Sequence, residues 1–282
     1  MKMNFLTVAG IFKNEQHVIK EWVEHYLNEG VDHFVLIDNG STDDYEKEIA
    51  KYINNGLITI IHDDTKWAQI ELYNKYFQSL KGQTKWLLVC DLDEFIYARR
   101  GYNTIPQFLE ELPEKVGVVR IPWKVFGSTG LIKQPDKLVP SFLQRAEQSG
   151  MKKPWMPNKK ETLSKVIIKP EYVDRYHIHF CYLKGKCTVI SAEGKKLKYK
   201  KDNEKKHFQP VSEKILNNSY LHLNHYAIQS LNWFQEIKMK RGDASTDRHD
   251  SVRTLQYFTE YDDASNDIID DELARKKSNQ KN

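Results

Sequence analysis

Along the first 121 residues, short apolar runs alternate with longer amphipathic stretches. Phe5-Leu6-Thr7-Val8-Ala9-Gly10-Ile11 has the pattern of a buried strand, and residues 33–37, 57–61, 86–90 and 117–121 repeat it. The run Trp86-Leu87-Leu88-Val89-Cys90 is apolar throughout, which predicts a central strand. Residues 15–28 place Val18, Ile19, Trp22, Val23, Tyr26 and Leu27 on one helical face, with Gly30 as the stop. Further helices are predicted after Asn39-Gly40-Ser41-Thr42-Asp43, ending at Asn55-Gly56, and over residues 67–80 and 104–112. The short oxygen-bearing side chains of residues 39–43 are expected to cap the helix that follows them. Strands separated by helices form βαβ units, so the expected fold is α/β, with a mostly parallel central sheet flanked by helices.

The pattern loosens after residue 121. Residues 122–160 read as loops punctuated by Pro122, Pro135, Pro140, Pro154 and Pro157. Residues 165–169, 176–183 and 187–192 read as strands with antiparallel pairs, giving a mixed α+β C-terminal part. Residues 231–240 form an amphipathic helix pattern with Ser230 as N-cap and Gly242 as stop, and residues 252–261 another helix. Residues 274–282 are polar and expected to be disordered.

Composition narrows the class. A hydrophobic share of 40% and a charged share of 29% predict a soluble globular protein. The net charge of +4 is too small for a dedicated nucleic-acid binder but suits anionic ligands. Cys90, Cys181 and Cys187 form no CxxC pair, which speaks against a zinc knuckle and for reduced thiols. The N-terminus shows no signal-peptide core, and no apolar run reaches the ~20 residues of a membrane span. A cytoplasmic protein is expected, with peripheral contact at the inner face of the cell membrane through the lysine-rich residues 195–206. A solvated loop is the plain alternative for that stretch.

In parallel sheets, ligands bind beyond the carboxyl ends of the strands. That rule lines up Lys13-Asn14-Glu15, Asp38-Asn39-Gly40, His62-Asp63-Asp64 and Asp91-Leu92-Asp93 along one edge. Strand alternation at Asp91 and Asp93 predicts two carboxylates on one side, an oxygen-rich site for Mg²⁺ or Mn²⁺. Such an ion bridges a diphosphate and stabilises the charge that builds on it as a leaving group. Asp38 is placed to accept hydrogen bonds from a base or ribose, and Gly40 lets backbone approach a ligand. An acidic solvated loop and an Asx-type turn are the plain alternatives for these two places.

Three segments now converge on a family: Gly10-Ile11-Phe12-Lys13-Asn14-Glu15, Ile37-Asp38-Asn39-Gly40-Ser41-Thr42-Asp43, and Trp86 through Asp91-Leu92-Asp93-Glu94-Phe95. They resemble glycosyltransferase family 2-like proteins of GT-A fold. Trp123-Lys124-Val125-Phe126-Gly127-Ser128-Thr129-Gly130 and Asn224-His225-Tyr226-Ala227-Ile228-Gln229-Ser230, continuing to Phe234, Lys238, Arg241 and Gly242, bring the resemblance nearest to the glycosyltransferase family 92 branch.

The resemblance implies a GT-A domain over residues 1–245, with a nucleotide-binding half (1–121) and an acceptor-binding half (122–245), followed by a C-terminal helix and polar tail (246–282). It implies transfer of a sugar, a hexose in the first instance, from a UDP-sugar donor to a glycan or glycolipid acceptor in surface polysaccharide or lipooligosaccharide assembly, with Mn²⁺ or Mg²⁺ as cofactor. Asn14, Glu15, Asp38, Asn39, Gln69, Asp91, Lys238 and Arg241 would bind the donor. Asp91, Asp93 and His225 would hold the metal, with His179 as the alternative histidine. Lys would steady the diphosphate as a point charge and Arg through paired hydrogen bonds.

An inverting transfer needs a carboxylate to take the acceptor's proton. Glu147 is the candidate base, with Glu94 orienting the metal site; a retaining reaction needs no such base. Trp123, Phe126 and Trp155 are candidates for stacking on an acceptor sugar, whereas Trp67 reads as core. Two competing readings share these residues. One is a haloacid-dehalogenase-like phosphatase using the DxD motif, from whose pattern Glu94-Phe95 departs. The other is a nucleotide-sugar-binding module without turnover.

Overall fold

The computed structural model of the protein describes residues 3–148, 162–198, 211–242, 244–245 and 253–279. Its strands are β1 (Asn4–Phe12), β2 (His33–Asp38), β3 (Ile58–His62), β4 (Thr84–Val89), β5 (Glu94–Ala98), β6 (Val116–Val125), β7 (Gln144–Arg145), β8 (Ser164–Ile168), β9 (Val173–Tyr176), β10 (Cys181–Leu183), β11 (Thr188–Ser191), β12 (Leu221–His225) and β13 (Ile268–Ile269). Nine of these form the main sheet among the described residues, in the order β3-β2-β1-β4-β8-β6-β12-β5, with β11 beside β6. The pairs β3-β2, β2-β1, β1-β4, β6-β12 and β6-β11 are parallel. This is the expected mostly parallel α/β sheet. Helices α1 (Gln16–Asn28), α2 (Tyr45–Asn54) and α4 (Ile105–Glu110) bury their apolar stripes in one core, and α3 (Gln69–Tyr76) buries its stripe in the other. Gly10 is a motif residue whose size is fixed by packing. A Cβ there would lie 2.4 Å from the Cys90 carbonyl oxygen, so β1 and β4 meet too closely for a side chain.

The parallel series does not continue directly into its fifth strand. Antiparallel β8 lies between β4 and β6, so a segment from the less regular half of the chain enters the centre of the sheet. The residues expected as one strand over 176–183 form a hairpin of β9 and β10. The C-terminal expectation is corrected as well. Helix α9 (Glu272–Asn279) is ordered because Lys276 bonds to Glu29, Ala98 O and Asn103 O. Helix α8 (Leu255–Asp263) precedes it, close to the predicted 252–261, and the short helix α5 (Glu213–Asn218) leads into β12.

The position of β5 shapes the site. It follows β4 after four residues, yet it stands last in the sheet order, paired antiparallel with β12. On a flat sheet the four intervening spacings would separate the two strands by about 19 Å. Five fully extended residues reach at most about 17 Å, and residues 91–94 are closed by a Glu94 N–H to Asp91 O bond instead of being extended. The sheet therefore has to curl, and the curl returns β12 to the end of β4.

Candidate active site

The turns at the sheet edge are tied together by local hydrogen bonds. The Asp38 Oδ1 accepts from Ser41 N–H at 2.8 Å, Ser41 Oγ from Asn14 N–H at 3.0 Å, and Asn14 Oδ1 from Thr42 N–H at 2.7 Å. Residues 39–43 do not cap the helix that follows them, since Asp44 at the start of α2 makes no side-chain cap bond. Asp43 Oδ2 instead accepts from Gln16 N–H at 2.8 Å, supplying an acceptor for the open amino end of α1. The other end of the motif is pinned from α1. Trp22 Nε1–H reaches Asp91 O and Glu94 O at 3.1 and 3.0 Å, and the Tyr26 hydroxyl donates to Glu94 O at 3.1 Å.

These turns frame a cavity of about 730 Å³ that runs along the strand ends from Asn39 past Asp91 to His225. Of the residues predicted from sequence, Asn14, Glu15, Asn39, Gln69, Asp91, Asp93, Trp123, His179, His225, Lys238 and Arg241 line it. Asp91 and Asp93 reach it from a turn and not from the extended alternation expected of them. Beyond them, β12 brings His225 opposite Glu94, and Tyr226 N–H donates to Asp93 O at 2.8 Å. His225 Nε2 lies 3.5 Å from Asp93 Oδ1, and the His225 ring packs on Trp123 with centroids 4.0 Å apart.

Lys238 and Arg241 arrive on one continuous helical segment, made of α6 (Leu231–Trp233), a π-helical stretch Phe234–Lys238 and α7 (Met239–Arg241). Ser230 caps it as expected, accepting from Trp233 N–H at 3.3 Å, and Gly242 ends it at φ +74°. The wider π turn ends on Lys238; such bulges recur at functional sites. Lys238 Nζ lies 3.2 Å from Asp93 Oδ2 and also bonds to Ala227 O. Arg241 bonds to Lys13 O at 2.8 Å and to Glu15 Oε1. Burial alone would raise the Asp93 carboxyl, but the charges of Lys238 and His225 prevail and hold it well below the usual carboxylate range.

Several predicted residues stand elsewhere. Asp38 does not line the cavity: Ser41 N–H takes one oxygen, and Tyr45 OH and His62 Nδ1 take the other, each at 3.2 Å. Its role in the structure is to hold the turn. Glu94 is fully buried, and its Oε2 accepts from Asp91 N–H at 2.9 Å. Burial pushes the Glu94 carboxyl up to about 7, with Lys165 opposing. Glu147 is exposed and not among the lining residues; its N–H bonds to Asp267 Oδ2 at 3.0 Å. Phe126 is fully buried against Tyr226, which removes it from any acceptor surface. Trp155 and residues 199–206 of the lysine-rich stretch lie outside the described residues; Lys195 and Lys196 are exposed.

Two residues were missed. Trp67, expected in the core, is 48% exposed, has φ +55° and lines the cavity. Lys165 is buried in β8, with Nζ 2.9 Å from Asp91 Oδ2. A lysine directly before the apolar run Val166-Ile167-Ile168 of a buried strand was the available signal.

With this geometry in place, comparison with known proteins gives the family. The glycosyltransferase family 92 profile matches residues 5–237. The chain belongs to that family. Family 92 membership sets the phosphatase reading aside. A family 92 protein of Ricinus communis is 24% identical over 140 residues, 48% of this chain and 25% of that one. A family 92 protein of Oryza sativa subsp. japonica is 23% identical over 140 residues, 48% and 24% of the two chains. The matched segment thus spans about a quarter of each relative. Among solved structures, residues 1–349 of S. aureus TarS share 15% identity at TM-score 0.37, over 60% of this chain and 48% of that one. Glucosyl-3-phosphoglycerate synthase of Mycobacterium tuberculosis, solved with Mn²⁺, UDP and glucosyl-3-phosphoglycerate, shares 14% at TM-score 0.32, over 60% and 58%.

Proposed function

We propose that this family 92 chain is a glycosyltransferase that takes a UDP-sugar into the cavity at the strand ends and transfers the sugar to a glycan or glycolipid acceptor. The observation that carries the reading is the meeting of Asp93, His225 and Lys238 in a cavity otherwise framed by the turns after β1, β2 and β4. These elements come from motifs more than a hundred residues apart in the chain. The uridine in this reading comes from the motif resemblance. Its setting in surface polysaccharide or lipooligosaccharide assembly at the cytoplasmic face of a membrane is part of the same proposal. No helix among the described residues is long and apolar enough to cross a membrane.

The residues fit a divalent cation in part. Asp93 Oδ1 is buried with no hydrogen-bond partner among the described residues, and it faces His225 Nε2 at 3.5 Å. Among the described residues no three His, Cys, Asp or Glu side chains gather into a metal-holding group. Asp91, expected as a third ligand, is engaged by Lys165 instead. Asp93 and His225 would hold the ion, and diphosphate oxygens and water would complete its shell, as is usual for Mg²⁺. When bound, the ion would supply positive charge to the departing diphosphate. Lys238 keeps Asp93 ionised, and Arg241 holds Glu15 and the Lys13 carbonyl at the donor side. Trp123 and His179 wall the far end, where an acceptor would enter.

Thermal unfolding with ligands tests this directly. Binding to the folded state alone raises the midpoint by mass action, by about 2.7 kcal/mol of stabilisation at a ligand concentration 100 times Kd. UDP with Mn²⁺ should raise it and AMP with Mn²⁺ should not. A rise with GDP alone would overturn the uridine assignment.

A further inference from the structure

Lys165 is placed where a lysine is costly. Its side chain is 1% exposed, on the strand that enters the sheet between β4 and β6. A buried ammonium persists only when its charge is paired and its three N–H donors find acceptors. Here three acceptors surround it: Asp91 Oδ2 at 2.9 Å, Glu94 Oε2 at 3.3 Å and Ile178 O at 3.1 Å. One side chain therefore ties together the DxD turn, the buried glutamate behind it, and the turn that carries His179. Glu94 Oε2 closes the ring by also accepting Asp91 N–H at 2.9 Å.

The two aspartates of the motif are thereby unequal. Asp91 has one oxygen on Lys165 and the other 3.5 Å from the Tyr73 hydroxyl, which in turn accepts from Gln69 Nε2 at 2.8 Å. Asp93 gives Oδ2 to Lys238, which lines the cavity, while Oδ1 has no hydrogen-bond partner among the described residues and faces His225. Lys165 itself is not a lining residue, and its donors are spent on the fold.

We propose that Lys165 is a positioning residue that serves as a resident counter-ion for Asp91, so that a divalent cation entering the site meets one carboxylate, Asp93, and not two. The proposal rests on the donor-site reading above. It gives the shortfall of ligands a physical origin: a fixed ammonium already supplies the positive charge that a second carboxylate would otherwise draw from the metal. It also predicts weak uptake of the cation without a nucleotide, because one carboxylate and one imidazole form too small a shell to dehydrate it.

The test compares Asp91→Asn, Asp93→Asn, Lys165→Met and the double variant Asp91→Asn/Lys165→Met with the wild-type chain. Mn²⁺ uptake is followed by loss of the free-ion EPR signal, with and without UDP, and stability by urea unfolding without metal. Asp91→Asn should keep Mn²⁺ uptake in the presence of UDP within about threefold of wild type, whereas Asp93→Asn should weaken it at least about tenfold. Lys165→Met, which leaves Asp91 without its counter-ion, should bind Mn²⁺ without UDP at least as tightly as wild type. In urea the double variant should lose less stability than the two single losses summed, because each single variant already breaks the one Lys165–Asp91 pair. If Asp91→Asn loses Mn²⁺ as fully as Asp93→Asn, or if the two single effects on stability add, the counter-ion role is overturned. A wild-type chain that takes up neither Mn²⁺ nor UDP would instead sink the donor-site reading. The metal-free urea cycle would still decide the role of Lys165, and it also covers a single variant too unstable to assay.

Discussion

The two ends of the cavity are built by different means. At the β1–β2 end, Asn14, Asp38, Asn39 and Ser41 bond to one another and to neighbouring turns, within 3 to 28 residues along the chain. At the other end, the partners of the DxD turn are Lys165 and Lys238, 74 and 145 residues away. The first end is made of turn chemistry and the second of buried charges delivered by inserted strands and a late helix. Polar residues at the first end are therefore committed mainly to the fold, while Asp93 at the second keeps an oxygen for a ligand. Asp38 shows the point: its position after β2 suggested ligand contact, yet its carboxylate is consumed by Ser41, Tyr45 and His62.

The sharpest way to break this contrast is to remove an acid from each end. Asp93→Ala is expected to lower metal-dependent UDP release roughly 100-fold or more, because on the proposed reading a bound ion would contribute several kcal/mol of charge stabilisation. Asp38→Ala should act mainly on stability, by about 1–3 kcal/mol for the donors it leaves unpaired. Urea unfolding beside a UDP-release assay separates the two. Should Asp38→Ala abolish UDP binding in a chain of wild-type stability, the division between the ends fails.

The second end also leans on the C-terminal segment. Lys124, between Trp123 and Val125 on β6, is fully buried and pairs with Asp270 at 2.9 Å. Asp270 also takes Arg145 at 2.6 Å. Asp270→Asn should destabilise the fold by about 3–5 kcal/mol, the usual cost of leaving a buried charge without its partner. The pH dependence has a definite sign. Burial by itself would raise the Asp270 carboxyl, but Lys124 and Arg145 hold it down at about 2. An unfolded aspartate titrates near about 3.9. Its contribution is thus complete above that pH and is lost as pH falls toward 2. Asp270→Asn should flatten this part of the stability–pH curve, while leaving the region above pH ~5 merely offset.

What was legible follows the same division. The βαβ alternation, the strand-end turns, the Ser230 cap and the Gly242 stop are local patterns, and the structure has them. His225 and Lys238 were reached through motif resemblance, because nothing local says that β12 will curl back to Asp93. Lys165 was out of reach for the same reason: the entry of β8 between β4 and β6 is a long-range event. Trp67 and Phe126 were exchanged, core for surface, since a lone aromatic in a loop carries no periodicity from which to read its exposure. Trp67→Ala should therefore weaken binding of a UDP-sugar by about tenfold, in line with the ~1–3 kcal/mol that aromatic stacking on a base contributes, and leave stability almost unchanged. Phe126→Ala should do the reverse, costing about 3–5 kcal/mol as a large-to-small core change.

The smallest expected effect concerns the acceptor's proton. Glu147 is exposed beside β7, and its backbone N–H is held by Asp267. A carboxylate that takes a proton in the transition state has to come within hydrogen-bond reach of the acceptor hydroxyl, directly or through one water. Glu147 does not line the cavity in which Asp93 and Trp123 stand. Glu147→Gln is therefore expected to change UDP release by less than about twofold and stability by less than about 0.5 kcal/mol, the usual range for a surface substitution. A loss of turnover with UDP binding intact would show that the acceptor end closes around Glu147 when a sugar is bound. The second end of the cavity would then be the moving part of the molecule, and the turns of the first end its fixed frame.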